Sequence, residues 1–381
     1  MIRLCNIAWY LVLALAAPQQ AGAEPFKYPE ARHGQGELRY VNGIPVLLVA
    51  GTPQEMGEQM GILALKPAAP AIGLFEDFLQ AQGLKNFKPL LAKVGESLLA
   101  KFPAAYRQEL DAAAKAGGID RDLLVIGNTF HDIRRLTRCS ALMVGPARSK
   151  TGGPLVGRNL DYDLLKGMHQ YSLVVVYRPK GKRSFAVVSF PGAIVIGCAM
   201  SAMNSDGLIL GQNDVGLAAD GSPAVDLKNT PTAVLARRIL EECATLDEAQ
   251  KLLDANKPAS RSIFIACDRR GGGAFEITPR TVVLRKDELC VATNNFQSKE
   301  LAPSPTFCPR AFLLAQASGL EKLGVEDVAK KMQEVHQRAR TAHTLVFEPK
   351  PLKLHVAFGD GDKPATQFPL KEIDLSKMLR P

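Results

Sequence analysis

The stretch Arg138-Cys139-Ser140-Ala141-Leu142-Met143-Val144, followed after a Gly- and Pro-containing break by Leu155-Val156-Gly157-Arg158-Asn159-Leu160-Asp161, marks the place where the chain changes character. Upstream of it, apolar residues recur at three- and four-residue spacing. Downstream, they alternate or run in short continuous blocks. The first pattern predicts helices and the second buried strands, so a boundary near Arg138 separates a helical front from a strand-rich remainder.

Working back from that boundary, the region from Thr52 to about Asn128 reads as several helices. Thr52-Pro53-Gln54-Glu55 resembles a capped start, and helical spacing over Gly73 to Leu79, Phe87 to Leu99 and Ala104 to Ala116 is broken at Gly83, Pro103 and Gly117-Gly118. Short strands precede them at Leu38 to Tyr40 and Val46 to Val49. Working forward, Ser140 to Val144 and Leu155 to Leu160 are strands. Leu173 to Tyr177 and Phe185 to Phe190 form a hairpin through Pro179-Lys180-Gly181-Lys182. Further strands fit Ile194 to Met203, Leu208 to Gln212, Ser262 to Cys267, Ala274 to Thr278, Val282 to Arg285 and Leu289 to Thr293, with Gly271-Gly272-Gly273 as a turn. Helices over Thr232 to Ala255 and Val325 to Arg338 are long enough to cover sheet faces, and a hairpin of Thr344 to Phe347 with Lys353 to Phe358 closes the chain. The class is α+β, with two stacked sheets and helices outside.

Composition narrows the function. The 381 residues include 47 Lys+Arg against 38 Asp+Glu, a net charge of +9, with 46% hydrophobic and 6% aromatic residues. The basic pairs are scattered and aromatics are few, so no nucleic-acid stripe emerges. At the N-terminus, Arg3, the apolar stretch Cys5 to Ala17 and Ala21-Gly22-Ala23 follow the export-signal pattern. Cleavage is expected before Glu24, with the mature protein periplasmic or secreted. The apolar stretch is too short for the roughly 20 residues of a membrane-spanning helix. Cys139, Cys198, Cys243, Cys267, Cys290 and Cys308 remain in the mature chain. An exported chain of this size can pair its cysteines but does not need to. No zinc-like spacing joins Cys or His residues, so neither a metal nor another cofactor is implied.

Cys139 stands out because it opens the strand-rich part. If its thiol attacks the Arg138 carbonyl, the peptide bond shifts to a thioester, and water then separates residues 24–138 from 139–381. The same residue then carries a thiol and an α-amine, which titrate near 8.5 and 7.7–8.0, so one residue supplies nucleophile and base. Taken alone, a cysteine at a strand start is more often a small buried hydrophobe.

The segment from Cys139 through Gly157-Arg158-Asn159-Leu160-Asp161-Tyr162 resembles the start of the cysteine N-terminal-nucleophile (Ntn) hydrolases. It is most similar to the peptidase C45 group, the acyl-CoA:6-aminopenicillanic acid acyltransferase-like proteins. Choloylglycine hydrolases, penicillin V acylases and acid ceramidases are relatives. Gly51 to Gly57 resembles the opening motif of that group, and Glu109 to Ile119 its prosegment. Met203-Asn204-Ser205-Asp206-Gly207-Leu208 resembles the N-x-x-G-L turn, Ala292 to Phe296 the T-N-H-F box, and Thr344 to Gly359 the terminal hairpin. The resemblance implies a four-layer αββα sandwich, and with the export-signal reading it divides the chain into residues 1–23 as signal peptide, 24–138 as helical prosegment and 139–381 as catalytic domain.

It also implies roles. Cys139 matches the nucleophile and Arg138–Cys139 the cleavage site. Asp161 matches the carboxylate that holds the new α-amine, and Arg158 a cation near the thiol. Asn204 and Asn294 match oxyanion-stabilising positions, and Arg310 an arginine after the second asparagine box. Each has a plainer explanation: a strand-edge ion pair for Arg158, a turn for Asn204, a cap or loop for Asn294, and a solvated helix start for Arg310. Positions 158 and 161 face opposite sides of an ideal strand, so sharing one site requires the strand to end or bulge near Asn159. Asn295 stands where the family commonly has His.

The implied activity is a self-processing cysteine amidohydrolase acting on a small-molecule N-acyl amide, with the cleaved front chain remaining bound. Acyl transfer would use the same residues. An exported binding protein that keeps the fold without catalysis is the non-enzymatic alternative. A papain-like pairing with His343 or His355 lacks the surrounding cysteine motif, and no G-x-S-x-G occurs.

Overall fold

The computed structural model describes residues 24–81, 83–132, 137–162, 167–303 and 307–380. The expected signal peptide lies outside them. No described helix is long and apolar enough to cross a membrane.

Sixteen strands form two sheets among the described residues. In chain order they are β1 (Ala31–His33), β2 (Gly36–Val41), β3 (Ile44–Gly51), β4 (Thr137–Val144), β5 (Leu155–Tyr162), β6 (Leu173–Pro179), β7 (Phe185–Ser189) and β8 (Ala202–Asn204). They continue with β9 (Ile209–Asp214), β10 (Ser262–Asp268), β11 (Gly271–Ile277), β12 (Val282–Lys286), β13 (Leu289–Ala292), β14 (Thr341–Glu348), β15 (Lys353–Phe358) and β16 (Lys371–Asp374). The larger sheet has the order β1-β2-β3-β6-β7-β8-β9-β10-β11-β12 and the smaller β13-β4-β5-β14-β15-β16. Within these sheets neighbours are antiparallel except β3 and β6.

Ten α-helices accompany them among the described residues: α1 (Pro53–Met60), α2 (Ala69–Ala81), α3 (Lys88–Leu99), α4 (Ala104–Gly117), α5 (Arg121–Thr129), α6 (Gly197–Met200), α7 (Thr232–Glu242), α8 (Leu246–Ala255), α9 (Pro309–Ala315) and α10 (Val325–Glu334). The alternation of side chains along the strands sorts the core into three layers. Between the sheets, Val174, Val176, Val188 and Ile265 meet Met143, Val156, Leu345 and Val356. On the outer face of the larger sheet, Leu47, Val175, Phe185 and Phe264 pack under Met56, Leu110, Leu235 and Leu253 of α1, α4, α7 and α8. On the outer face of the smaller sheet, Leu142, Leu155 and Val346 pack under Leu314, Val328 and Met332 of α9 and α10. Helix, sheet, sheet, helix is the αββα order, and the class is α+β.

The front segment is more than a helical cover. Its β1, β2 and β3 continue the larger sheet through the β3–β6 pairing, and α1 starts in the expected place, with Thr52 and Glu55 capping each other reciprocally. α4 and α7 share a buried ion cluster in which Arg237 donates to Glu109 and, at 2.9 Å, to Glu241. Tyr106 donates to the same Glu241 at 2.7 Å, and the guanidinium lies 4.3 Å from the Tyr106 ring centroid. Both sides of the Arg138–Cys139 bond therefore contribute to one core.

Several sequence expectations are corrected. Ile194 to Met203, read as one strand, contains α6 and only then β8. The side-chain oxygen of Asn128 accepts from the backbone N–H of Val195 at 2.9 Å and turns the chain there, and a short apolar run does not distinguish helix from strand. Thr232 to Ala255 is two helices, because Thr245 caps a fresh start by accepting from the Glu248 N–H. Gly271-Gly272-Gly273 opens β11 rather than forming the turn. A Cβ on Gly272 would lie 2.3 Å from the Ala266 carbonyl oxygen, and one on Gly273 would lie 2.1 Å from that of Arg285. The terminal hairpin is followed by one more strand, β16.

Candidate active site

Cys139 lies in β4, two residues after the strand begins, opposite Leu160 of β5. Its side chain is buried and faces the space between the sheets, as does Arg158, which stands opposite Ala141. The Arg158 Nη2 donates to Cys139 Sγ at 3.3 Å. A buried guanidinium needs acceptors for its N–H groups. Here Nε donates to Ser201 Oγ at 2.9 Å, Nη1 to Asn213 Oδ1, and Nη2 also to the Gln212 carbonyl. Gly211 makes the room, since a Cβ there would lie 2.9 Å from Arg158 Cδ.

A second group gathers on the backbone of Cys139. The Arg310 Nη1, from the start of α9, donates to the Cys139 carbonyl at 2.8 Å and to Ser140 Oγ at 2.9 Å. Its Nη2 donates to Asn294 Oδ1 at 2.7 Å, and that oxygen also accepts from the Cys139 N–H at 3.1 Å. The Asn294 Nδ2 donates to the Asp214 carbonyl at 2.8 Å. Asp161 stands opposite Arg138. Its Oδ1 accepts from Thr341 Oγ1 at 2.6 Å, while Oδ2 is 3.8 Å from Arg310 Nη1 and is buried without a hydrogen-bond partner among the described residues. Arg310 is thus no solvated surface cation; its side chain is 17% exposed and turned into the group.

Alternation has the effect foreseen for positions 158 and 161. Arg158 enters from between the sheets, and Asp161 shares the opposite side with Asn159 and Ser140. Both nonetheless flank Cys139, one at its sulfur and one beside its backbone. The irregularity is not near Asn159 in β5 but in β14, between Thr341 and His343, and Thr341 there takes the Asp161 carboxylate.

Asn204 is not brought to this group. Its Nδ2 donates to the carbonyls of Leu240 at 3.1 Å and Cys243 at 2.7 Å, and its Oδ1 accepts from the N–H groups of Asp206 and Leu208 at 3.1 and 2.9 Å. Both ends of the amide are spent holding a turn against the C-terminus of α7. The polar end of β9, Gln212-Asn213-Asp214, supplies the contacts instead: Asn213 bonds Arg158 and, through Nδ2, the Thr293 carbonyl at 3.0 Å. Sequence reading passed over these residues, although three polar side chains ending an apolar strand were a usable signal. Ser201, Thr341 and His131 had no comparable mark.

Burial dominates the electrostatics. It pushes the Cys139 thiol above its ordinary range, with Arg158 working in the other direction. It also pushes Asp161 up to about 7, against the Thr341 hydrogen bond and the charges of Arg310 and Arg158. Asp214 behaves oppositely: burial is outweighed by His131 and by two hydrogen bonds from Thr137, so its carboxyl stays below the ordinary value. Burial and the nearby Arg158 charge push His343 down to about 3, which leaves it a neutral ring against Phe190 and Phe358.

Beside this group opens a mainly apolar pocket. The front segment lines it with Ile72, Phe75, Leu123 and Leu124, and the remainder of the chain with Leu160, Phe190, Ile196 and Met200. Its polar edge is Thr137, Arg158, His131 and Gln212, so the pocket ends on the arginine that touches the Cys139 sulfur. The six cysteines after the expected cleavage point are all unpaired.

No curated protein matches the sequence. Among solved structures, the chain is similar to a mutant of the conjugated bile acid hydrolase from Clostridium perfringens, at 13% identity over 63% of this chain and 93% of that one, with a TM-score of 0.43. It is similar to the Caenorhabditis elegans ortholog of N-acylethanolamine-hydrolyzing acid amidase, at 16% identity over 55% and 93% with a TM-score of 0.43. It is also similar to penicillin V acylase from Agrobacterium tumefaciens, at 14% over 63% and 86% with a TM-score of 0.41. The family resemblance carried by the motifs is present in the middle of the chain, where residues 148–304, including Arg158, Asp161 and Asn294, match the acyl-coenzyme A:6-aminopenicillanic acid acyl-transferase family.

Proposed function

We propose that this protein is an exported, self-processing cysteine amidohydrolase that cleaves an N-acyl amide with an apolar acyl group. The observation that carries the reading is the buried guanidinium of Arg158 at 3.3 Å from Cys139 Sγ, at the edge of an apolar pocket. A cation there favours thiolate, which burial alone would suppress.

In the proposed self-cleavage, Sγ attacks the Arg138 carbonyl carbon, and the sulfur's proton passes to the Cys139 nitrogen as the C–N bond breaks. Water then hydrolyses the Arg138 thioester, leaving a carboxylate on Arg138 and a free α-amine and thiol on Cys139. In this reading the new α-amine turns to Asp161, which stands opposite Arg138 and whose Oδ2 is a buried acceptor without a partner among the described residues. In turnover the thiolate attacks the substrate's acyl carbon, the α-ammonium protonates the leaving nitrogen, and water resolves the acyl thioester. A second amine in place of water would make the reaction acyl transfer, using the same residues.

The apolar pocket favours a hydrocarbon-rich acyl group over a polar one. The test is a set of N-acyl amides that share one amine and differ in acyl length and polarity, assayed by amine release with trapping of the acyl thioester. Turnover that rises with acyl apolarity and disappears in Cys139→Ala is expected. Absence of amide cleavage across the set, by a protein that has separated into two chains, would overturn the substrate reading.

A further inference from the structure

We propose that His131, carried by the front segment, is a positioning residue for self-cleavage; this rests on the self-processing reading above. His131 lies on the short turn Phe130–Asp132, eight positions before Cys139. Its Nε2 is 3.0 Å from Asp214 Oδ1 and 2.9 Å from Gln212 Nε2. The other carboxylate oxygen of Asp214 accepts from the Thr137 N–H at 3.0 Å and from Thr137 Oγ1 at 2.8 Å. The Asp214 carbonyl accepts from Asn294 Nδ2 at 2.8 Å, and Asn294 Oδ1 accepts from the Cys139 N–H at 3.1 Å. Asp214 therefore holds both sides of the bond to be broken: Thr137 directly, and the leaving nitrogen of Cys139 through Asn294.

A carboxylate buried this deeply has to be paired, and it keeps one orientation only if both oxygens are held. Thr137 holds one. His131 holds the other and so fixes the plane of the group that Thr137 leans on. The covalent steps are those given above, and His131 takes no part in them. Its effect is geometric: attack on the Arg138 carbonyl needs the sulfur and carbon in near-attack alignment, where a displacement of about 1 Å costs on the order of a hundredfold. The front segment is then part of the apparatus that severs it.

The experiment follows the two chains by denaturing mass spectrometry at intervals after pulsed synthesis of the full chain. Wild type is compared with His131→Leu, His131→Gln, Asp214→Asn and the His131→Leu/Asp214→Asn double variant. His131→Leu is expected to slow cleavage at least about tenfold, whereas His131→Gln, which keeps an N–H at similar reach, stays within about threefold of wild type. The double variant is expected to be no slower than the slower single variant, because both act through one contact. Thermal unfolding of each substitution in a Cys139→Ala background reports whether the chain folds. Where His131→Leu does not fold, His131→Asn, polar but too short to reach Asp214, takes its place with the same expected slowing. Wild-type cleavage rates in the Leu or Asn variant, equal slowing by Gln and Leu, or additive slowing in the double variant overturns the proposal alone. A wild-type chain that never separates overturns the self-processing reading and this inference with it.

Discussion

Replacing Asp161 by Asn in the uncleaved chain tests the electrostatics of the site without requiring any activity. The carboxyl ordinarily titrates at 3.8, and burial pushes it up to about 7. With the folded value raised, the folded chain holds this proton where the unfolded chain has lost it. Stability contributed by the protonated form is therefore fully present below about 4 and lost as pH rises through about 7. At about 1.4 kcal/mol per pH unit, the interval from 3.8 to about 7 corresponds to about 4 kcal/mol. Asn keeps an acceptor for Thr341 and has no proton to lose. In a Cys139→Ala background, urea unfolding of the parent and of its Asp161→Asn variant is compared at several pH values between about 4 and 8. Asp161→Asn is expected to gain stability relative to its parent by about 4 kcal/mol across that range, levelling off above about pH 7. A difference that stays flat, or that favours the parent as pH rises, would show that Arg310 at 3.8 Å outweighs burial and that the reasoning is wrong.

Arg158→Leu strands Ser201, Asn213 and the Gln212 carbonyl as buried polar groups, at about 1–3 kcal/mol for each left unsatisfied, so unfolding measurements should show a clear loss of stability, and cleavage should stop. Arg158→Lys keeps the charge without the fork and should restore only part of the cleavage rate. Asn204→Ala should cost about 1–3 kcal/mol in denaturant unfolding, because the turn loses its hydrogen bonds, while the chain still separates at the wild-type rate. Arg237→Met leaves Glu109 buried without its cation, while Glu241 keeps Lys182 at 2.5 Å, and should cost about 3–5 kcal/mol. After self-cleavage it should also release the front chain on native size-exclusion chromatography, where wild type elutes as one species.

Much of the fold was legible because it is written in short-range pattern. The helical spacing before Arg138 and the apolar blocks after it appear as α1 to α5 and as β4 to β15, and the alternation along β5 foretold that Arg158 and Asp161 would enter from different sides. The failures share a cause. Ile194 to Met203 is apolar in any conformation, and the contact that marks its turn, the Val195 N–H donating to Asn128 Oδ1 67 positions earlier, is long-range. Gly272 and Gly273 look like a turn, yet their lack of a Cβ is used against the backbones of neighbouring strands. In the site, Cys139, Arg158 and Asp161 were marked by spacing and resemblance. Arg310 depended on how α9 packs over β4, and Asn204 was misplaced because one turn motif fits both a site and a helix cap. Asp214 and His131 gain their meaning only from the meeting of β9 with the end of the front segment.

The most direct test of the account is the intact mass, under denaturing conditions, of the exported protein and of its Cys139→Ala variant. Two wild-type chains spanning 24–138 and 139–381, with one undivided chain in the variant, are predicted. One undivided wild-type chain would contradict the account, because Cys139 would lack the α-amine its proposed chemistry requires.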